Sequence, residues 1–292
     1  MYEDASNSNL IMLLHTAIYP LLVALIISFI AGKLLRTSSY LGYLGGFLVG
    51  LSLIHSGLSF PPKQAIDYYT VTALIGIASL LTLSLIANQT IRSGISFILF
   101  GLSFYLLLNP VLKHSGLITT LSWSIVCALI LLGYSLLSEK AQTSAQIQIK
   151  QKQGLSALLF PIGLMIVAGS AAPVISIGGS LLIGQLLGAF GAAVFGYVII
   201  AFLTKNVQSY NSIPALLLLG GLITQSHVLA DTPISIMLLL TASCFVTPIV
   251  SILSSKAKES RRNAIVIISQ IIISSVISGL GLWLVWPESS LY

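Results

Sequence analysis

The chain has 292 residues, 56% of them hydrophobic and 7% charged, with a mean hydropathy of +1.02 and a formal net charge of +6. A soluble domain carries about a quarter charged residues, so this composition excludes one. Nucleic acid is also excluded as a partner, because the basic residues gather in a few short connections rather than on one face.

Apolar runs without strict alternation, each near the roughly 20 residues that cross a bilayer, predict helices rather than a β-barrel. The expected fold is an all-α polytopic integral membrane protein with ten spans. The first, residues 10–30, follows the acidic stretch MYEDASNSN. That stretch lacks the basic start of a signal peptide, so the span is expected to be retained. The second, 40–57, is short and carries Gly42, Gly45, Gly46 and Gly50. Spans three to five are 68–87, 93–109 and 117–137. Asn88-Gln89-Thr90 matches a glycosylation sequon, but it falls at the cytoplasmic end of span three and is discounted.

Residues 138–154, SEKAQTSAQIQIKQKQG, are expected to form a cytoplasmic linker between an N-terminal half (1–137) and a C-terminal half (155–292). Five spans per half is an odd number, so the halves would enter from opposite sides, as in inverted-topology transporters. Tyr19-Pro20 in span one is echoed by Phe160-Pro161 in span six. The alternative is coincidence, since Pro and Gly are common in membrane helices.

Span six, 155–172, is separated by Pro173 from span seven, 174–203. Thirty residues would measure about 45 Å against a core of about 30 Å. Span seven must therefore tilt, break at its glycines or project from the bilayer. The surrounding stretch, 168–197, holds seven glycines and is expected to supply the central packing helix, with Gly184 and Gly188 as a small-xxx-small face. Spans eight to ten are 212–229, 233–253 and 264–286.

One set of alternate connections holds eleven of the thirteen Lys and Arg, and the other only Lys63 and Lys113. By the positive-inside rule both termini face away from the cytoplasm, with the bacterial inner membrane as the expected location. Lys256, Lys258, Arg261 and Arg262 could contact anionic headgroups, but their role as topology determinants accounts for them. Cys127 and Cys244 lie in apolar runs and read as small core residues.

Motifs for nucleotides, metals, heme or a catalytic nucleophile are absent, so no cofactor, no metal site and no catalytic residue is predicted. All seven acidic residues fall in the tail, loops or span ends. This argues against a proton-driven pump and weakens an enzyme reading. His15, His55, His114, His227, Asp67 and Asp231 share the predicted outer half. They could converge on a metal or pH-responsive site, with His227 and Asp231 the best pair. The plainer reading makes them separate interfacial side chains, with Asp231 capping the helix that starts at Pro233. Gln185, Gln225 and Gln270 are the strong polar groups at membrane depth. They are either a solute pathway or, as the favoured reading, glue between helices.

The function expected first is a small secondary transporter or permease for an uncharged or lipid-like solute. A structural or assembly subunit of a larger membrane complex comes next, and a membrane-embedded lipid-modifying enzyme third. The partners expected are membrane lipids and either other membrane proteins or further copies of the chain.

Overall fold

The computed structural model describes residues 9–34, 39–55, 58–86, 88–146, 154–204 and 212–286. Among these residues every regular element is a helix. In chain order they are α1 (Asn9–Leu34), α2 (Leu41–Ile54), α3 (Tyr68–Leu85), α4 (Gln89–Leu112), α5 (Leu117–Gln146), α6 (Gly154–Gly178), α7 (Leu181–Thr204), α8 (Ile213–Ala230), α9 (Ile234–Cys244), α10 (Val246–Leu253) and α11 (Glu259–Val285). Counting α9 and α10 as one, nine spans in the described residues are long and apolar enough to cross a membrane, and α2 is a shorter apolar helix.

Several boundaries move from the positions the sequence predicts. α5 runs on through 138–146, part of the expected linker, and 147–153 lie outside the described residues. Pro173 does not end span six. A proline removes one helical hydrogen bond and crowds the carbonyl four residues back, yet Gly169, Ser170, Ala171 and Ala172 leave room, and Ser278 of α11 donates to the Ser170 carbonyl at 2.8 Å. A hydroxyl from a neighbouring helix thus adds a hydrogen bond in the proline's turn, on the carbonyl next to the one that lost its amide. The chain breaks instead at Gly178-Gly179-Ser180, where Ser180 accepts from the Ile183 amide at 3.3 Å and starts α7. Both glycines are required by close approach: a Cβ on Gly178 would stand 2.7 Å from the Val285 Cβ, and one on Gly179 would meet the Thr232 hydroxyl.

Sequential helices form the hairpins α1–α2, α4–α5 and α6–α7, and α11 packs along α6. α2 and α7 both lean on α1, and the approach is very tight. A Cβ on Gly46 would stand 2.9 Å from the Ala24 methyl, and one on Gly196 only 3.0 Å from it. α1 itself widens into a π-turn over Leu14–Ile18, with the Tyr19 amide bonded to the Leu14 carbonyl. Pro20 follows and leaves the Thr16 carbonyl without its usual amide partner.

The most enclosed helix is α8, 72% of whose apolar window is buried, against 50% for α7. The glycine-rich α7 is therefore a packing helix but not the central one. Only α8 is flanked by α3, α4, α5, α6, α7 and α9. α1 and α11 lie at the rim with long apolar faces outward, including Ile26, Phe29, Ile268, Ile272 and Trp283.

Candidate functional site

The first site is built around a broken span. Pro248 crowds the carbonyl of Cys244, so the ninth span stops there and restarts at Val246. A break halfway across a membrane exposes backbone groups that lipid cannot satisfy. Gln270 of α11 meets one of them, the Ser243 carbonyl. Its Oε1 accepts from the Thr247 hydroxyl at 2.8 Å, and its Nε2 donates to the Ser243 carbonyl at 3.0 Å and to the Ser274 hydroxyl at 2.8 Å. One amide thereby holds both pieces of the span. Gln270 is wholly buried and fully bonded, which is the behaviour of glue rather than of a solute ligand.

Beside the break is an apolar crevice lined by Leu131, Tyr134, Leu216, Gly220, Cys244 and Phe245. It has room for little more than one water molecule. The Tyr134 ring meets Phe245 edge-on at 5.7 Å, and its buried hydroxyl has no hydrogen-bond partner.

A second polar locus lies at the predicted outer end, where α3, α4, α5 and α8 meet. Gln225 of α8 donates from Nε2 to the Leu107 carbonyl at 3.3 Å, while its buried Oε1 has no partner among the described residues. One turn back, a Cβ on Gly221 would stand 3.2 Å from the Tyr69 ring, whose hydroxyl is also buried without a partner. Ser103 donates to Thr72 at 3.3 Å, and Cys127 lies 3.6 Å from the Thr224 hydroxyl. Tyr69 carried no signal in the sequence beyond its place at a span end.

The outer titratable residues are dispersed. The His15 ring lies tilted against Tyr19 with centroids 5.9 Å apart, and His114 is exposed in a short 3-10 turn. The His227 Nδ1 is 2.7 Å from the Thr232 carbonyl, which makes that nitrogen the donor, and its ring lies 5.6 Å from Trp123. Asp231 does not cap the following helix. It ends α8 in a left-handed conformation (φ 52°), with its amide on the His227 carbonyl at 3.1 Å and the Thr232 amide on Ser226 at 3.2 Å. The pair that does form is His55 with Asp67, at 4.0 Å. The other oxygen of Asp67 accepts from the Ser59 hydroxyl at 2.6 Å and from the amides of Lys63 and Gln64 at 3.0 Å each. Asp67 thus organises the connection entering α3. Among the described residues no three His, Cys, Asp or Glu side chains come together as a metal site would require.

Gln185 is half-buried on α7 with no hydrogen bond among the described residues. Gly184 is pressed against Ser176 and the Ala172 carbonyl of α6, whereas Gly188 stands over the Thr16 carbonyl, 3.7 Å from where its Cβ would be. The sequon at Asn88 is a helix cap: its side chain accepts from the amides of Thr90 at 3.0 Å and Ile91 at 3.4 Å.

No family model, curated protein or solved structure matches the chain.

Proposed function

We propose that the chain is a small secondary transporter or permease for an uncharged or lipid-like solute. The observation that carries this reading is the broken ninth span, clasped at Ser243 and Thr247 by Gln270. Discontinuous helices near mid-membrane are where secondary transporters place their binding sites and hinges. A solute without charge fits the walls, since the groups around the break are hydroxyls, amides and apolar side chains. With so little space beside Tyr134, this arrangement is the closed one. The partnerless oxygens of Tyr69 and Gln225 mark the outer approach to it.

An inverted repeat of two five-span halves is part of the same proposal. It is supported by α2 packing on α7 and α3 on α8, the pairs that such a repeat would relate. Our placement of both termini outside a bacterial inner membrane rests on the basic connections.

The second reading, a subunit of a larger complex, is favoured by the long outward apolar faces of α1 and α11. The third, an enzyme, needed a carboxylate or histidine beside His227, and that ring meets Thr232 and Trp123 instead.

Purification in mild detergent with mass spectrometry of whatever accompanies the chain separates the first two. Elution alone or as a homo-oligomer, followed by uptake of uncharged solutes into liposomes that Gln270→Leu abolishes, is the expected result. A stoichiometric set of other membrane proteins would transfer the chain to the subunit reading.

A further inference from the structure

Arg262 lies in the first turns of α11 and is 2% exposed, on a chain whose other basic residues in this region, Lys256, Lys258 and Arg261, are exposed. A buried guanidinium without a counter-charge is costly by several kcal/mol, so buried charges are normally paired. Arg262 is not. Its Nη2 donates to the Ser156 hydroxyl at 2.6 Å, and its Nε has no partner among the described residues. The nearest carboxylate in its network, Glu259, is reached only through that serine, by a long 3.4 Å hydrogen bond. Asn263 beside it is buried, and its side-chain Oδ1 accepts no hydrogen bond among the described residues.

The position adds to the imbalance. Ser156 belongs to the first turn of α6 and Arg262 to the first turns of α11, so two long helices bring their N-termini together around this guanidinium. A helix N-terminus presents unbonded amides and a positive dipole end. No side chain caps α11, whose N-cap residue is Lys258. Four basic side chains and one carboxylate occupy 256–262.

We propose that this junction of α6 and α11 binds a phosphate group, held by Arg262 Nε and the free amides of the α11 N-terminus. The ligand enters by replacing the weak Ser156–Glu259 link, and Lys258 and Arg261 gather it at the surface. Phosphate is an acceptor only, and it supplies the negative charge that Arg262 lacks. The source nearest to hand is an anionic lipid headgroup in the adjoining leaflet, where basic pockets between helices bind such lipids. Free phosphate offers the same chemistry.

The test is native mass spectrometry of the full chain equilibrated with equal amounts of phosphatidylglycerol and phosphatidylcholine. The wild type is expected to retain phosphatidylglycerol about tenfold in preference, as one charge-assisted contact provides. Arg262→Gln is expected to lose that preference. The triple change Lys256→Gln, Lys258→Gln, Arg261→Gln is expected to keep most of it. A wild type without preference overturns the proposal, as does a preference that survives Arg262→Gln or disappears entirely in the triple variant. Should Arg262→Gln not fold, Asn263→Asp places a carboxylate beside Arg262 and must abolish the preference; its persistence overturns the proposal equally. Displacement of the lipid by inorganic phosphate supports the site and assigns it to a soluble anion. Resistance to displacement supports it as a lipid site.

Discussion

Gly184 of α7 lies so close to Ser176 of α6 that a methyl group on the glycine would overlap the serine hydroxyl and stand 2.8 Å from the Ala172 carbonyl. Gly42 of α2 repeats this relationship in the first hairpin, against the Ser28 hydroxyl and 2.6 Å from the Ala24 carbonyl. In each case an alanine and a serine one turn apart form the floor on which a glycine rests. The two hairpins thus close by one device, and in both the glycine is followed four residues later by another, Gly46 and Gly188.

These contacts rank the glycines. Gly184→Ala and Gly42→Ala are expected to destabilise by about 2 kcal/mol each, the usual range for forcing a methyl into a packed interface. Gly188→Ala, whose nearest neighbour is an ordinary 3.7 Å contact, is expected to change little. Thermal unfolding in detergent checks this, and equal losses at Gly184 and Gly188 would contradict it.

Gln270→Leu removes three hydrogen bonds and leaves the Ser243 carbonyl orphaned beside a broken helix. The expected cost is about 2–4 kcal/mol, from two interhelical bonds of roughly 0.6 kcal/mol each plus about 1–3 kcal/mol for the unmet carbonyl. Gln185→Leu, with no bond to lose, should be near neutral on the same unfolding curve.

Asp231 occupies a left-handed backbone conformation that suits glycine best. Asp231→Gly is therefore expected to preserve or slightly raise stability, whereas Asp231→Val should cost about 1–2 kcal/mol. A catalytic or metal-binding role for this carboxylate would instead make the glycine variant inactive in any assay that the wild type passes.

Cys244 ends α9 at the break and lines the crevice, while Cys127 is buried between α5 and α8. If the break is the hinge of transport, a small membrane-permeant maleimide will label Cys244 faster when transported solute is present and leave Cys127 unchanged. Labelling at one slow rate under all conditions would mean that the break is static.

Sidedness is open to a direct check. An impermeant maleimide is expected to label Ser115→Cys in intact cells and to spare Ser255→Cys until the membrane is opened. The reverse pattern would invert the topology inferred from the basic connections.

The spans were legible because length and apolar content follow directly from bilayer thickness. What tertiary neighbours decide was not. Pro173 reads locally as a breaker, yet α6 continues through it, with the Ser278 hydroxyl of the distant α11 on the neighbouring Ser170 carbonyl. The true breaks, at Gly178-Gly179 and before Pro248, depend on what stands opposite: Val285 and Thr232 in one case, Gln270 in the other. The polar character of Gln270 and Gln225 was evident, but their partners Ser243 and Leu107 lie on other helices, so the sequence could not separate ligand from glue. Arg262 looked like any member of a basic cluster, because burial of one residue among four is invisible in composition.

The enclosure of α8 bears on how the protein is made. Its last turns carry Thr224, Gln225, Ser226 and His227, and its apolar stretch is weaker than those of the rim helices α1 and α11. Alone in lipid, that end would leave the Gln225 amide without the Leu107 carbonyl it now bonds. α3, α4 and α5, which shelter it, are synthesised earlier and stand ready when α8 leaves the translocation channel. The order of helices along the chain thus lets the least lipid-compatible span enter an environment already built by its predecessors, and a circular permutant that made α8 first would have to insert it unprotected.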